Sequence, residues 1–70
     1  MQTREEIVEK IKYLEGSIKY YNLSMKEYSF ERTQNEIENS EMYRGYKQKR
    51  EECFKKIELL RSEILKIAYN

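Results

Sequence analysis

Thr33-Gln34-Asn35-Glu36-Ile37-Glu38-Asn39-Ser40 divides the chain into two long stretches whose apolar residues recur at helical spacing. Ahead of it, Ile7, Ile11, Leu14, Ile18, Tyr21, Met25 and Tyr28 follow one another at alternating intervals of four and three. That interval keeps one stripe of a helix turned toward a neighbour. After it, Tyr43, Tyr46, Arg50, Cys53, Ile57, Leu60, Ile64 and Ile67 repeat the pattern in a register offset by one residue, with one charge inside it. A chain reversal in the polar octapeptide accounts for both the lost stripe and the change of phase. The pattern therefore predicts an all-α, antiparallel two-helix hairpin of coiled-coil type. Its helices are expected at about 4–32 and 41–68, with a turn at about 33–40, in a single domain spanning 1–70.

Local signals agree with two helices. Thr3-Arg4-Glu5-Glu6 has the Thr-x-x-Glu form of a capping box, in which a hydroxyl accepts from an orphan amide of the first turn. Thr33 with Glu36 repeats it, and Asn35, Asn39 and Ser40 are further candidate caps for the second helix. All 13 acids are Glu, a residue that helix interiors tolerate better than Asp. The turn holds no glycine. Gly16 and Gly45 lie inside the helical patterns instead, where each costs about 0.5–1 kcal/mol against alanine.

A chain of 70 residues buries a small share of its surface, and small domains usually need disulfides, metals or association to be stable. One cysteine, Cys53, and no histidine leave association, so a dimeric four-helix bundle is the expected completion, with the chain a homo-oligomer. The second helix supports that expectation, because Phe54, Leu65 and Ala68 on one side and Met42 on the other widen its stripe. Arg50 is the one charge expected to face the core. Its stem should snorkel, or its guanidinium should pair with a Glu at the seam's edge or stack on Tyr28 or Tyr46, ahead of a role in setting the register of the two helices.

The composition excludes much chemistry. Without His or Asp, neither a Ser-His-Asp nor a Cys-His arrangement can be written, and two-His metal sites are equally absent. The Glu36-x-Glu38-x-x-Glu41 spacing lacks the glycine of a calcium loop. The chain is thus expected to be no enzyme and to need no cofactor or metal. No apolar run reaches membrane-spanning length, which with the lack of an apolar leader points to a cytoplasmic protein with Cys53 reduced. Fourteen basic against 13 acidic residues give a net charge of +1, too little for a nonspecific anion-binding field.

Function is expected to lie in surplus apolar surface. Projected on a helix, Tyr13, Tyr20, Leu23 and Phe30 fall away from the first seam as a second stripe, suited to contact another protein. Tyr43 and Gly45 join them as candidates, since a small residue beside aromatic rings leaves room for a docking chain. Tyr43-Arg44-Gly45 resembles the Trp-x-Gly of small secreted helical proteins of the WXG type, but the tryptophan is missing and nothing further is carried over. The expected function is an adaptor or stoichiometric inhibitor of a larger protein, of the kind phages and mobile elements encode. The alternatives are a dimeric nucleic-acid-binding regulator using Arg44, Lys47 and Lys49, and a structural coiled-coil component.

Overall fold

In the computed structural model the described residues are 2–69, with side chains placed through residue 67. Three helices form: α1 (Arg4–Ser29), α2 (Gln34–Glu38) and α3 (Glu41–Tyr69). The expected two-helix, coiled-coil-like hairpin and the dimeric four-helix bundle built from it are therefore corrected. The chain is a three-helix bundle dominated by the packing of α1 on α3, with α2 touching both. The segment expected to be a turn contains a helix of its own. The side chain of Ala68, expected to widen the second stripe, lies outside the described residues.

Each helix start is dictated locally. Thr3 Oγ1 accepts from the Glu6 amide at 3.2 Å, and Thr33 Oγ1 accepts from the Glu36 amide at the same distance. The second Thr-x-x-Glu cap thus opens α2 and not the long second helix. Ser40 opens that one, its Oγ accepting from the Tyr43 amide at 3.2 Å. Side chains of α2 brace its single turn: Gln34 Nε2 donates to Glu38 Oε1 at 3.2 Å, and Asn39 Nδ2 donates to the Asn35 carbonyl at 2.9 Å. Arg44 reaches back from α3, its Nε donating to the Glu38 carbonyl at 3.1 Å. This bond satisfies one of the orphan acceptors at the end of α2.

α1 ends three residues earlier than its expected limit at residue 32. Phe30 leaves the helix at φ −64°, ψ 128°, Glu31 follows at φ 62°, and the Arg32 amide donates to the Ser29 carbonyl at 3.3 Å. This is the pattern of a type II turn, whose third position favours glycine because φ is positive there. Glutamate occupies it instead. Arg32 secures the turn by placing its guanidinium carbon 3.9 Å from the centre of the Tyr28 ring and donating to the Tyr28 carbonyl.

α1 and α3 run in opposite directions along a long axis of 51 Å. Their contact uses the two apolar stripes. Ile7, Ile18 and Met25 of α1 and Cys53 and Ile57 of α3 are buried, with Ile18, Cys53 and Ile57 in one cluster flanked by Ile11, Leu14 and Tyr21. Toward the α2 end the seam becomes aromatic: Tyr21 meets Tyr46, and Tyr28 meets Tyr43, each pair with ring centres 6.3 Å apart. Ile67, the last seam residue, is exposed.

Arg50 does sit in the seam, where it pairs with a glutamate beside the seam, as expected, and also with Asn22, which was not expected. Its Nη1 donates to Asn22 Oδ1 across the interface at 2.9 Å, and its Nη2 lies 3.6 Å from Glu51 on its own helix. Tyr28 is covered by Arg32 and Tyr46 by Tyr21, so neither ring takes the Arg50 guanidinium. Its Nε is buried without a partner.

A left-handed conformation costs a side chain with a Cβ about 1–2 kcal/mol, partly offset in glycine by greater unfolded-state entropy. Glu31→Gly is therefore expected to raise stability by about 0.5–1 kcal/mol, read as a rise of several degrees in a thermal melt followed by circular dichroism. A lower melting temperature would mean that Glu31 contributes something the backbone angle does not reveal.

Candidate functional site

The seam fixes what the opposite side of α1 must do. With Ile7, Ile18 and Met25 turned to α3, Tyr13, Tyr20 and Leu23 project outward, and they are 76%, 59% and 52% exposed. Phe30 is 73% exposed, but it has already left the helix and stands on the turn that follows. Its projection from helical spacing does not apply, because α1 stops at Ser29. Tyr20 is steadied from below by an edge-on contact with Tyr21, ring centres 5.5 Å apart, and Tyr21 in turn meets Tyr46. A surface ring is thus coupled to the aromatic half of the seam.

Gly16 lies in this stripe, between Tyr13 and Tyr20, and with Lys12, Ser17 and Tyr21 these residues line a shallow hollow. A Cβ added at Gly16 or at Gly45 would meet nothing within 4 Å. No packing among the described residues therefore requires either glycine.

The remaining candidates stand elsewhere. Tyr43 is half-buried against Tyr28, so its ring belongs to the seam. Gly45 is half-buried one turn into α3. Arg44 and Lys47 line a groove with Ser29, Gln34, Ile37, Glu38 and Tyr43, while Lys49 is exposed and lies outside it. The Nε of Arg44 is committed to α2, and Glu38 stands beside the two bases, which dilutes the positive field a phosphate would seek.

The structure brings together a second apolar feature that helix projection did not find. Tyr13 and Leu14 of α1 face Leu59 and Leu60 of α3 across a groove of about 540 Å³, with Glu9, Lys10, Lys56 and Glu63 at its margins. Leu59 is 67% exposed. The sequence signal was the Leu59-Leu60 pair itself: adjacent helical residues cannot both face one seam, so one of them had to lie beside it.

Charges elsewhere are solvated. Among the described residues the ion pairs are Lys12 with Glu9 at 3.9 Å and Arg50 with Glu51, and the first is highly exposed and so adds little. Among the described residues no cluster of three His, Cys, Asp or Glu could hold a metal ion, and no helix is long and apolar enough to cross a membrane. Compared with known protein families, with curated proteins and with solved structures, the chain matches none.

Replacing a helical glycine that has open space above it removes its entropic cost without a clash. Gly16→Ala and Gly45→Ala are each expected to stabilise the isolated protein by about 0.5–1 kcal/mol in chemical denaturation. A loss of stability at either position would show that the missing side chain makes room for a contact outside this chain.

Proposed function

We propose that this chain is a non-enzymatic protein-binding module, an adaptor or stoichiometric inhibitor that docks on a larger protein through the outer side of α1 and the turn that follows it. The observation that carries this reading is the exposure of Tyr13, Tyr20, Leu23 and Phe30 on a chain whose buried core is only a few side chains wide. Large apolar groups in water are an unfavourable use of a small protein's surface unless something covers them. Tyrosine and phenylalanine also lose little rotamer freedom on binding, which suits them to be anchors.

The chemistry of the remaining surface supports binding over turnover. The glutamates are all exposed to solvent, on the helices and, for Glu31, on the turn after α1. Basic residues are balanced by acids, and Arg44, the centre of the alternative nucleic-acid surface, is partly engaged in holding α2. Stoichiometric occlusion or bridging needs only a shaped surface.

The test is a pair of substitutions, Tyr20→Ala with Phe30→Ala. Exposed truncations change stability by less than about 0.5 kcal/mol, so helicity and melting temperature should stay near those of the parent chain. Two lost anchors of about 1–2 kcal/mol each correspond to roughly a hundredfold or greater loss of affinity. Immobilised parent protein should therefore retain a partner from its native cell extract that the double variant releases. Unfolding of the variant would place those rings in the core and remove the docking reading.

A further inference from the structure

The stretch that reverses the chain is also able to carry it straight on. We infer that the protein has a second form, a dimer in which two copies open at residues 30–40 and exchange α3. This exchange is independent of what the outer side of α1 binds.

Closure is held by a backbone that the sequence does not favour. Glu31 sits at φ 62°, where a side chain with a Cβ is strained, and continuing the helix through it would release that strain. Between Phe30 and Ser40 no glycine or proline stops a helix, and Glu31, Arg32, Gln34, Glu36 and Glu38 are good helix formers. What interrupts the helix is capping by Thr33 and Ser40, together with the bond from Arg44 to the Glu38 carbonyl. Short connections under strain are the hinges at which identical chains exchange elements.

The apolar pattern fits the opened chain as well. Ile11, Ile18 and Met25 of α1 and Tyr46, Cys53 and Leu60 of α3 belong to one row of every seventh residue, which crosses the reversal through Arg32 and Asn39. Such a row stays on one side of a continuous helix wound about a partner.

A second copy is the occupant that restores what opening removes. α1 and α3 run in opposite directions, so two opened chains laid antiparallel give each α1 the α3 of the other. Ile18 then meets Cys53 and Ile57, and Arg50 reaches Asn22, as in the closed chain. Carrying the pairing of Tyr28 with Tyr43 four residues further sets Arg32 of one copy opposite Asn39 of the other. Arginine on asparagine is the combination that already bridges the seam at Arg50 and Asn22. The two polar members of the row thus fall where each has a partner.

Size distinguishes the forms. The closed chain has a long axis of 51 Å and a radius of gyration of 15.8 Å. A continuous helix from Arg4 to Tyr69 is roughly 100 Å long, which gives the exchanged dimer a radius of gyration of roughly 30 Å. Light scattering after gel filtration, with small-angle X-ray scattering on the dimer, should show the parent chain passing from monomer to a dimer of the extended size by millimolar concentration. Thr33→Ala with Ser40→Ala removes the caps that interrupt the helix and should lower the concentration required by about tenfold or more. Glu31→Gly relieves the closed turn and weakens a continuous helix, so it should raise that concentration by about tenfold or more. Gln34→Pro should abolish the dimer and keep the monomer's helicity. Proline is accepted at the first position of α2, where the preceding Thr33 is already extended, but it breaks a continuous helix. A dimer of compact size would mean two closed copies side by side and overturn the exchange. So would a dimer that survives Gln34→Pro, or a parent chain that stays monomeric at every concentration. If the Thr33 and Ser40 double variant fails to fold, the Gln34→Pro and Glu31→Gly comparisons still decide.

Discussion

Everything in this molecule depends on one line of contact, the apolar stripe along which α1 meets α3. A helix can turn only part of its circumference toward a single neighbour. With α2 a single turn at one end, the far sides of both long helices have no partner among the described residues. The burial of Ile7, Ile18, Met25, Cys53 and Ile57 and the exposure of Tyr13, Tyr20 and Leu23 are thus one fact seen from two sides. The same contact creates the groove. Leu14 and Leu60 are held side by side because their helices are, and Tyr13 and Leu59 rise on either flank.

The reversal between the long helices is made without glycine or proline, and polar side chains replace the usual devices. Glu31 takes the left-handed position, Arg32 clamps onto Tyr28, Thr33 and Ser40 cap the next two helices, and Arg44 ties the end of α2 to α3. Each is a local bond of modest net strength. Together they specify where α1 stops and where α3 starts, which decides which residues face each other along the seam.

The parts of this arrangement that were legible in the sequence are those governed by one helix at a time. The cap at Thr3 and both stripes could be read because periodicity and capping act over a few residues. α2 was missed because Thr33-x-x-Glu36 announces a helix start but carries no information on how soon that helix ends. The end of α1 was placed too late for a related reason: Glu31 and Arg32 are good helix formers, and no glycine marks the left-handed residue. That error carried Phe30 onto a helical face it does not occupy. The groove could not be read from either helix, since Leu59 and Tyr13 become neighbours only when two separate stretches pack. The Arg50–Asn22 bond was hidden likewise, because it joins residues on two different helices.

Arg50 shows why a charge stands in an otherwise apolar seam. Apolar contacts are non-directional, and two stripes with similar spacing can slide past each other by a turn at modest cost. The bond from Arg50 Nη1 to Asn22 Oδ1 has no such freedom, because one turn of displacement, about 5.4 Å, breaks it and leaves the guanidinium only its contact with Glu51 on the same helix. Its buried Nε has no hydrogen-bond partner among the described residues, a cost that an apolar side chain at this position would not carry. What it secures is register, and register is what the groove requires: the same displacement would carry Leu59 and Leu60 away from Tyr13 and Leu14 and divide the apolar floor. A polar bond in the middle of the rod thereby preserves the shape of a surface toward its open end.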